Sequence, residues 1–410
     1  MATGSNALVG APRETGDTLR AESKCNAVLV YGQEYSDYNF GPEHPLQPIR
    51  LRLTYELIKA LDLLTRPDVA LAPPRKATDE ELALIHHPNY IRKAQELSVP
   101  GAKWYAMDTP FGLGTEDNPV FDGMHDAAAY SVGGSLVASE LVMEGRTRHS
   151  FNVGGGLHHA LPARASGFCV YNDAAIAITS VRQKYGCRVL YVDIDAHHGD
   201  GVQDAFYQSP EVLTISLHES GRYLFPGSGD VHEVGRGPGY GYSINLPFEP
   251  LTFDQVYLEA FREIVPVAAR AFRPDVIVSQ MGCDAHWNDP LAHLLLTMDG
   301  FRTIYREVHA LAHELCEGRW IALGGGGYQL HTVVPKAWAL LFAEMCDVAP
   351  DDEVPHTWLS LSQRFEKEPV SLRFKDERVP RLPERRVEAI TTATQAIVEY
   401  LKRTVLPEVQ

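Results

Sequence analysis

The sequence predicts a three-layer α/β fold, a central and mostly parallel β-sheet flanked by helices on both faces, with a site at the C-terminal ends of the strands. Three observations predict it. Short β-branched runs alternate with helical stretches, the pattern of a parallel sheet with right-handed crossovers. Most runs are almost continuously apolar, as for strands covered on both faces. Polar and glycine-rich clusters follow several of the runs directly, where such sheets place their sites.

In chain order, residues 1–26 read as a flexible tail. Met1 to Thr18 is small and polar and lacks the basic start and apolar core of a secretory leader. A strand is expected at Ala27–Tyr31, then helices at Pro48–Leu61 and Met124–Glu144. His149–Val153 is the next strand, followed by the cluster Gly154–His159 and a helix at Asp173–Tyr185. Strands at Arg188–Asp195, Val212–His218 and Tyr242–Leu246 precede a helix at Phe253–Ala271. A strand at Asp275–Gln280, a helix at Asp299–Glu317 and a strand at Arg319–Leu323 complete the alternation. Beyond Ala349 the chain is rich in charge and proline, with Val387–Leu401 as a closing amphipathic helix. These features divide the chain into the tail, a catalytic domain over 27–349 and a C-terminal extension over 350–410 that packs on it.

Composition narrows the function. With 410 residues, 45% hydrophobic and 22% charged, the chain reads as soluble and globular, and no apolar run is long enough for a bilayer. A cytoplasmic protein without membrane contact is expected. The six cysteines are scattered without a CxxC pair, which suggests reduced, mostly buried thiols rather than a thiolate zinc site. A net charge of -16 repels phosphate and argues against direct nucleic-acid binding. It suits a cationic substrate such as a lysine-bearing peptide or a polyamine, although solubility alone makes many cytosolic proteins acidic.

The densest chemical signal is Tyr191-Val-Asp-Ile-Asp-Ala-His-His-Gly-Asp-Gly201. Asp193, Asp195 and His197 are spaced by two, so they share one face if the strand persists; if it ends near Asp195, His197 stands on the loop above. Burying such a series without a cation is costly. Asp284, at the end of Ser279-Gln-Met-Gly-Cys-Asp284, is the best third ligand beside Asp195 and His197. An Asp/His/Asp set suits Zn²⁺ or Fe²⁺ with an open position. His158 and His159 follow a glycine run, and Asp193 and Asp200 are carboxylates available to orient them. Ile321-Ala-Leu-Gly-Gly-Gly-Gly-Tyr328 reads as a flexible loop that brings a phenol over the site as an oxyanion donor. No Gly-Lys-Ser/Thr follows, so a phosphate loop is unsupported.

Taken together, these residues resemble the histone deacetylase superfamily and its arginase-deacetylase fold, and within it the bacterial acetoin-utilisation-type lysine deacetylases. The resemblance runs from about Ala27 to about Ala349. It rests on Gly-Gly-Gly-Leu-His-His-Ala, Ser-Gly-Phe-Cys-Val-Tyr-Asn-Asp, Val-Asp-Ile-Asp-Ala-His-His-Gly-Asp-Gly, Leu-Phe-Pro-Gly-Ser-Gly, Gln-Met-Gly-Cys-Asp and Leu-Gly-Gly-Gly-Gly-Tyr, in that order. It implies that Asp195, His197 and Asp284 hold Zn²⁺, that His159 is the general base and then acid, and that His158 is its electrostatic neighbour. Asp193 and Asp200 would orient the two histidines, and Tyr328 would polarise the amide carbonyl. Phe168 and Phe225, with Gly167, would wall a narrow lysine tunnel, Asp117 would grip the substrate backbone at its rim, and Arg50 would sit by an acetate-release pocket. A structural K⁺ would lie against Asp193, Asp195, His197, Ser216 and Leu217, and a second monovalent ion near Phe206, Ser209, Val212 and Tyr242.

The implied reaction is hydrolysis of the amide of acetyl-lysine in proteins, an acyl-CoA synthetase being one conceivable target. Leu291, after Asp289-Pro290, stands where acetylpolyamine-specific relatives carry a glutamate, which favours lysine over a polyamine. His286 and Trp287 depart from the class I pattern and are expected to shape the rim. The rival readings are an acetylpolyamine amidohydrolase, an arginase-type ureohydrolase and a non-catalytic acyl-lysine binder.

Overall fold

The computed structural model describes residues 25–101, 110–367 and 369–410. The expected tail therefore lies outside the described residues except for Cys25 and Asn26, which open the first strand. Among the described residues eight strands form one sheet: β1 (Cys25–Val30), β2 (Val69–Ala72), β3 (Thr147–Asn152), β4 (Val189–Asp193), β5 (Val212–Glu219), β6 (Ser243–Phe248), β7 (Val276–Gln280) and β8 (Trp320–Leu323). Their order is β2-β1-β3-β8-β7-β4-β5-β6, and every pairing is parallel. The sheet is thus wholly parallel.

The helices are α1 (Ile49–Ala60), α2 (Asp79–Leu82), α3 (Pro88–Leu97), α4 (Met124–Met143), α5 (Asp173–Tyr185), α6 (Asp200–Phe206), α7 (Asp254–Phe272), α8 (Met298–Leu315), α9 (Val333–Met345), α10 (His356–Ser362) and α11 (Glu384–Thr404). Alternate strand residues feed two cores, as the two-residue repeat of a strand requires. Leu29, Leu190 and Val192 join the layer with α1, α7, α8 and α9, whereas Val28, Val189 and Tyr191 join that with α4 and α5. Helix α11 packs on α7 and β6, so the C-terminal extension completes one layer. Within α4, Gly133 and Gly134 allow close packing: a Cβ there would collide with the Arg75 carbonyl and the Tyr35 hydroxyl. No helix among the described residues is long and apolar enough to cross a membrane.

Strand β4 stops at Asp193. Asp195 and His197 accordingly stand on the loop beyond it, the second of the two arrangements that the spacing permits. The four central strands are β3, β8, β7 and β4, and each is followed by one of the clusters singled out in the sequence.

Candidate active site

Neighbouring strand ends bring the expected groups together. The Asp193 register partners are Ser216 on β5 and Gln280 on β7, so the loops after β4 and β7 leave the sheet side by side. Asp195, His197 and Asp284 are all buried, and one ligand atom from each lies within 4.8 Å of the others. His197 Nδ1 is 3.2 Å from Asp195 Oδ1 and 2.9 Å from Asp284 Oδ2. The remaining oxygens are held from behind. Asp195 Oδ2 accepts from Gln280 Nε2 at 2.6 Å and from the Gly326 amide at 2.7 Å, and Asp284 Oδ1 accepts from the Ala196 amide at 2.7 Å.

Two buried carboxylates so close together need positive charge between them. Burial and the Asp195 charge push the Asp284 pKa up. Burial opposes a charge on His197, but hydrogen bonds to both carboxylates outweigh it and raise its pKa to about 10. A proton on His197 is one way to balance the charge; a divalent cation among the three side chains is another, and it fits the hard Asp/His/Asp donor set. The glycines confirm how tightly the cradle is built. A Cβ on Gly282 would strike Asp195 Oδ2, and one on Gly326 would strike Asp284 Oδ2. The run Gly324–Gly327 is therefore close-packed backbone rather than the flexible loop end expected from its composition; its residues are buried.

Beside this cluster stand the two histidines. His158 Nδ1 is 2.8 Å from Asp193 Oδ2, His159 Nδ1 is 2.7 Å from Asp200 Oδ1, and the two Nε2 atoms are 3.0 Å apart. Their environments separate them. Burial works against a charge on His158, yet Asp193 and Asp195 overcome it and raise its pKa to about 9. Burial lowers the His159 pKa to about 4, the His158 charge adds to the effect, and Asp200 only partly opposes it. One imidazole thus stays cationic while its neighbour stays neutral with Nε2 unprotonated, a division suited to proton transfer.

Tyr328 closes the site: its ring centroid lies 6.3 Å from His197 and 5.8 Å from Phe168. Burial, then Asp284 and Asp195, push its pKa well above the usual phenol value, so the hydroxyl remains a donor. Phe225 is 40% exposed, with its ring 5.0 Å from His159 and 6.4 Å from His197. Gly167, at φ +50, packs its backbone against both rings, since a Cβ there would meet His159 Cδ2 and Phe225 Cε1. Phe168 and Tyr328 line one narrow cleft with His158, His159 and Gly167. Arg50 is buried behind it, donating to the Gly325 carbonyl at 2.7 Å and the Gly327 carbonyl at 3.2 Å, with its guanidinium 5.1 Å from the Trp338 ring.

Other expected residues stand farther out. Asp117 is exposed, and its carbonyl lies 3.3 Å from His44 Nε2, whose ring is 4.5 Å from Phe168. Leu291 is half-buried and donates its amide to Asp289 Oδ1 at 2.9 Å. Ser216 Oγ is 2.8 Å from His218 Nδ1, and the Leu217 carbonyl accepts from Tyr257 Oη at 3.3 Å. Around the second expected monovalent site, the Ser209 amide donates to the Phe206 carbonyl at 2.9 Å, and the Tyr242 carbonyl accepts from the Thr214 amide at 3.0 Å, two residues after Val212.

Sequence reasoning missed several supports. Tyr191 Oη donates to Asp193 Oδ2 at 2.7 Å. Asp173 accepts from the Gly156 and Leu157 amides at 2.9 and 2.7 Å, fixing the turn before His158. Asp289 accepts from the Tyr328 amide at 2.8 Å, and burial pushes its pKa up to about 6. Asp376, in the C-terminal extension, receives the Trp287 indole N–H at 3.0 Å and lies 3.1 Å from His286 Nε2. Tyr191, Gln280 and Asp173 do sit inside the quoted motifs, which was their only signal.

A family model described as histone deacetylase domain matches residues 44–345. The acetoin utilization protein AcuC of Bacillus subtilis (strain 168) is 45% identical over 387 residues, 92% of this chain and 99% of that protein. The protein of the same name from Staphylococcus xylosus is 42% identical over 342 residues, 82% of this chain and 87% of its own length. Among solved structures, an HDAC homolog from Aquifex aeolicus superposes with a TM-score of 0.78 at 30% identity, covering 90% of this chain and 99% of that one.

Proposed function

The chain belongs to the histone deacetylase family, and from that premise we propose that it is a Zn²⁺-dependent deacylase of acylated lysine side chains in proteins. One observation carries the reading. A buried Asp/His/Asp donor set lies beside two histidines, one held cationic by Asp193 and Asp195 and the other kept neutral by burial and its neighbour's charge.

Asp195, His197 and Asp284 would hold the ion. When bound, it supplies Lewis acidity toward an amide carbonyl and lowers the pKa of a water. His159 takes the proton of the attacking water at Nε2, while Asp200 fixes its tautomer through Nδ1. The same proton then passes to the departing lysine amine. His158 stays charged against Asp193 and stabilises negative charge that develops nearby. The Tyr328 hydroxyl donates to the oxygen that becomes an oxyanion. Phe168 and Phe225 would wall the methylene stem, with Gly167 packed against the Phe225 ring, and Asp117 would grip the peptide backbone. Arg50 offers positive charge to the released carboxylate. K⁺ against Asp193, Asp195, His197, Ser216 and Leu217 would brace the loop. Leu291 gives a second ammonium nothing to pair with, which supports protein lysine, for instance in an acyl-CoA synthetase, over a polyamine.

The test is a panel of fluorogenic acyl-lysine peptides of increasing chain length, with acetylputrescine alongside. Acetate release from the peptides should stop with a chelator and return with Zn²⁺. The Tyr328→Phe variant should retain metal but turn over on the order of 10²–10³ more slowly. Turnover of acetylputrescine alone, or peptide turnover unaffected by chelator, would refute the proposal.

A further inference from the structure

A second set of metal-binding side chains lies toward the N-terminal end of β3, whereas the candidate active site follows its C-terminal end. His149 is buried in β3. His309 and His313 stand at i and i+4 on α8 and so present their rings to one side. His309 Nε2 is 3.1 Å from His149 Nε2 and 3.0 Å from His313 Nε2. One nitrogen from each ring lies within 4.8 Å of the others.

Hydrogen bonding alone accounts poorly for this arrangement. His309 Nδ1 is 3.0 Å from Glu344 Oε1, so Nδ1 carries the proton and Nε2 of the neutral ring offers one lone pair. Two further ring nitrogens crowd that single lone pair. A carboxylate behind a converging imidazole is the support that metal-ligating histidines use. Zn–N bonds of 2.0–2.1 Å at a tetrahedral angle place ligand nitrogens about 3.3 Å apart, close to the separations here. The ring positions are fixed: Trp320 stacks on His309 at 5.7 Å between centroids, and its ring meets the edge of His149 at 6.1 Å. Burial, followed by the neighbouring rings and Arg148, keeps His149 neutral, with its pKa at about 3. Burial, then the His309 ring and Arg148, lower the His313 pKa, and Asp347 opposes them. His313 is exposed, which gives an ion a way in and leaves a coordination position open to water.

We propose that His149, His309 and His313 form a second metal site that takes a borderline divalent cation such as Zn²⁺, Ni²⁺ or Cu²⁺ and pins α8 to β3. Three imidazoles exclude Mg²⁺ and Ca²⁺, which require oxygen ligands.

The experiment uses the full chain without a histidine tag, stripped by chelator, then titrated with ZnCl₂ and counted for metal after gel filtration. His313 is exposed, so His313→Ala should fold like the parent. The parent should hold one Zn²⁺ more than His313→Ala, and its thermal midpoint should rise further on adding Zn²⁺. The difference between the two proteins is the readout, whatever is bound at Asp195, His197 and Asp284, so failure here and failure of the proposed catalytic site are distinguishable. With Co²⁺, the visible band of a tetrahedral nitrogen site should persist in Asp284→Ala and vanish in His313→Ala. Equal Zn²⁺ content and equal midpoint shifts in parent and His313→Ala would overturn the proposal.

Discussion

His86 joins two segments that follow the His158–His159 loop. Its ring nitrogen Nε2 accepts from the Asn172 amide at 2.9 Å, so Nδ1 donates to the Leu161 carbonyl at 3.1 Å. Burial lowers its pKa to about 4. The folded protein therefore keeps it neutral, whereas the unfolded chain takes up a proton near pH 6.5. Between these values the unfolded state binds more protons, so stability rises with pH. The contribution is complete above about pH 6.5 and is lost as the pH falls toward 4, on the order of 3 kcal/mol. Denaturant titrations at pH 7 and pH 5 should show the loss, and His86→Gln should flatten it; an unchanged slope in the variant would exclude this residue. At this scale the sequence was most legible where spacing carries meaning. Asp195 and His197 lie two apart, and His158 and His159 are adjacent, so both pairs were visible. Asp289 was not, because its tie to the Tyr328 amide spans 39 residues and two strand ends. A lone aspartate before a proline reads as a turn until the partner is known.

Helix α5 shows how an element positions chemistry it does not itself carry. Asn172 caps it by accepting from the Ala175 amide at 2.9 Å. The same side chain donates to the His158 carbonyl at 3.2 Å and the Ala160 carbonyl at 3.0 Å. Asn172→Ala removes the cap and leaves two buried carbonyls short of a donor, an expected loss of about 2–4 kcal/mol. Thermal or urea unfolding measures it, and a loss under about 0.5 kcal/mol would show that the cap contributes little. Seven strands and the helices α1, α4, α5, α7, α8 and α11 were legible as elements because their apolar runs are strong. Strand β2 escaped notice because Val-Ala-Leu-Ala is short, lies at the sheet edge and is only partly buried. Helix α9, buried on nearly every side, was also missed. The glycine run before Tyr328 was located correctly but misread physically. Composition suggests mobility there, whereas Val153, Gln280, Asp195, Asp284 and Val334 leave no room for side chains.

Across the whole molecule, the C-terminal extension acts on the site through Asp376. Its carboxylate accepts from the Met298 amide at 2.8 Å as well as meeting His286 and Trp287, which follow Asp284 closely in the chain. Asp376→Ala should cost on the order of 3 kcal/mol and lower kcat/KM for an acyl-lysine peptide by loosening the turn after Asp284. Calorimetry and steady-state kinetics on the same preparation check both, and unchanged values would show that the turn does not depend on the extension. None of this was legible, since charge and proline in residues 350–410 reveal no partner.

The strand order has a consequence for how the protein comes into being. His197 meets Asp284 across 87 residues, and Gly326 reaches Asp195 across 131. A ribosome must therefore deliver almost the whole central sheet before this buried cluster can assemble. Until then the acidic pair has no backbone shelter and the imidazoles no shared pocket. A fragment cut anywhere between β4 and β8 lacks the Gly326 amide that Asp195 accepts from, and one cut before Asp284 lacks that carboxylate as well.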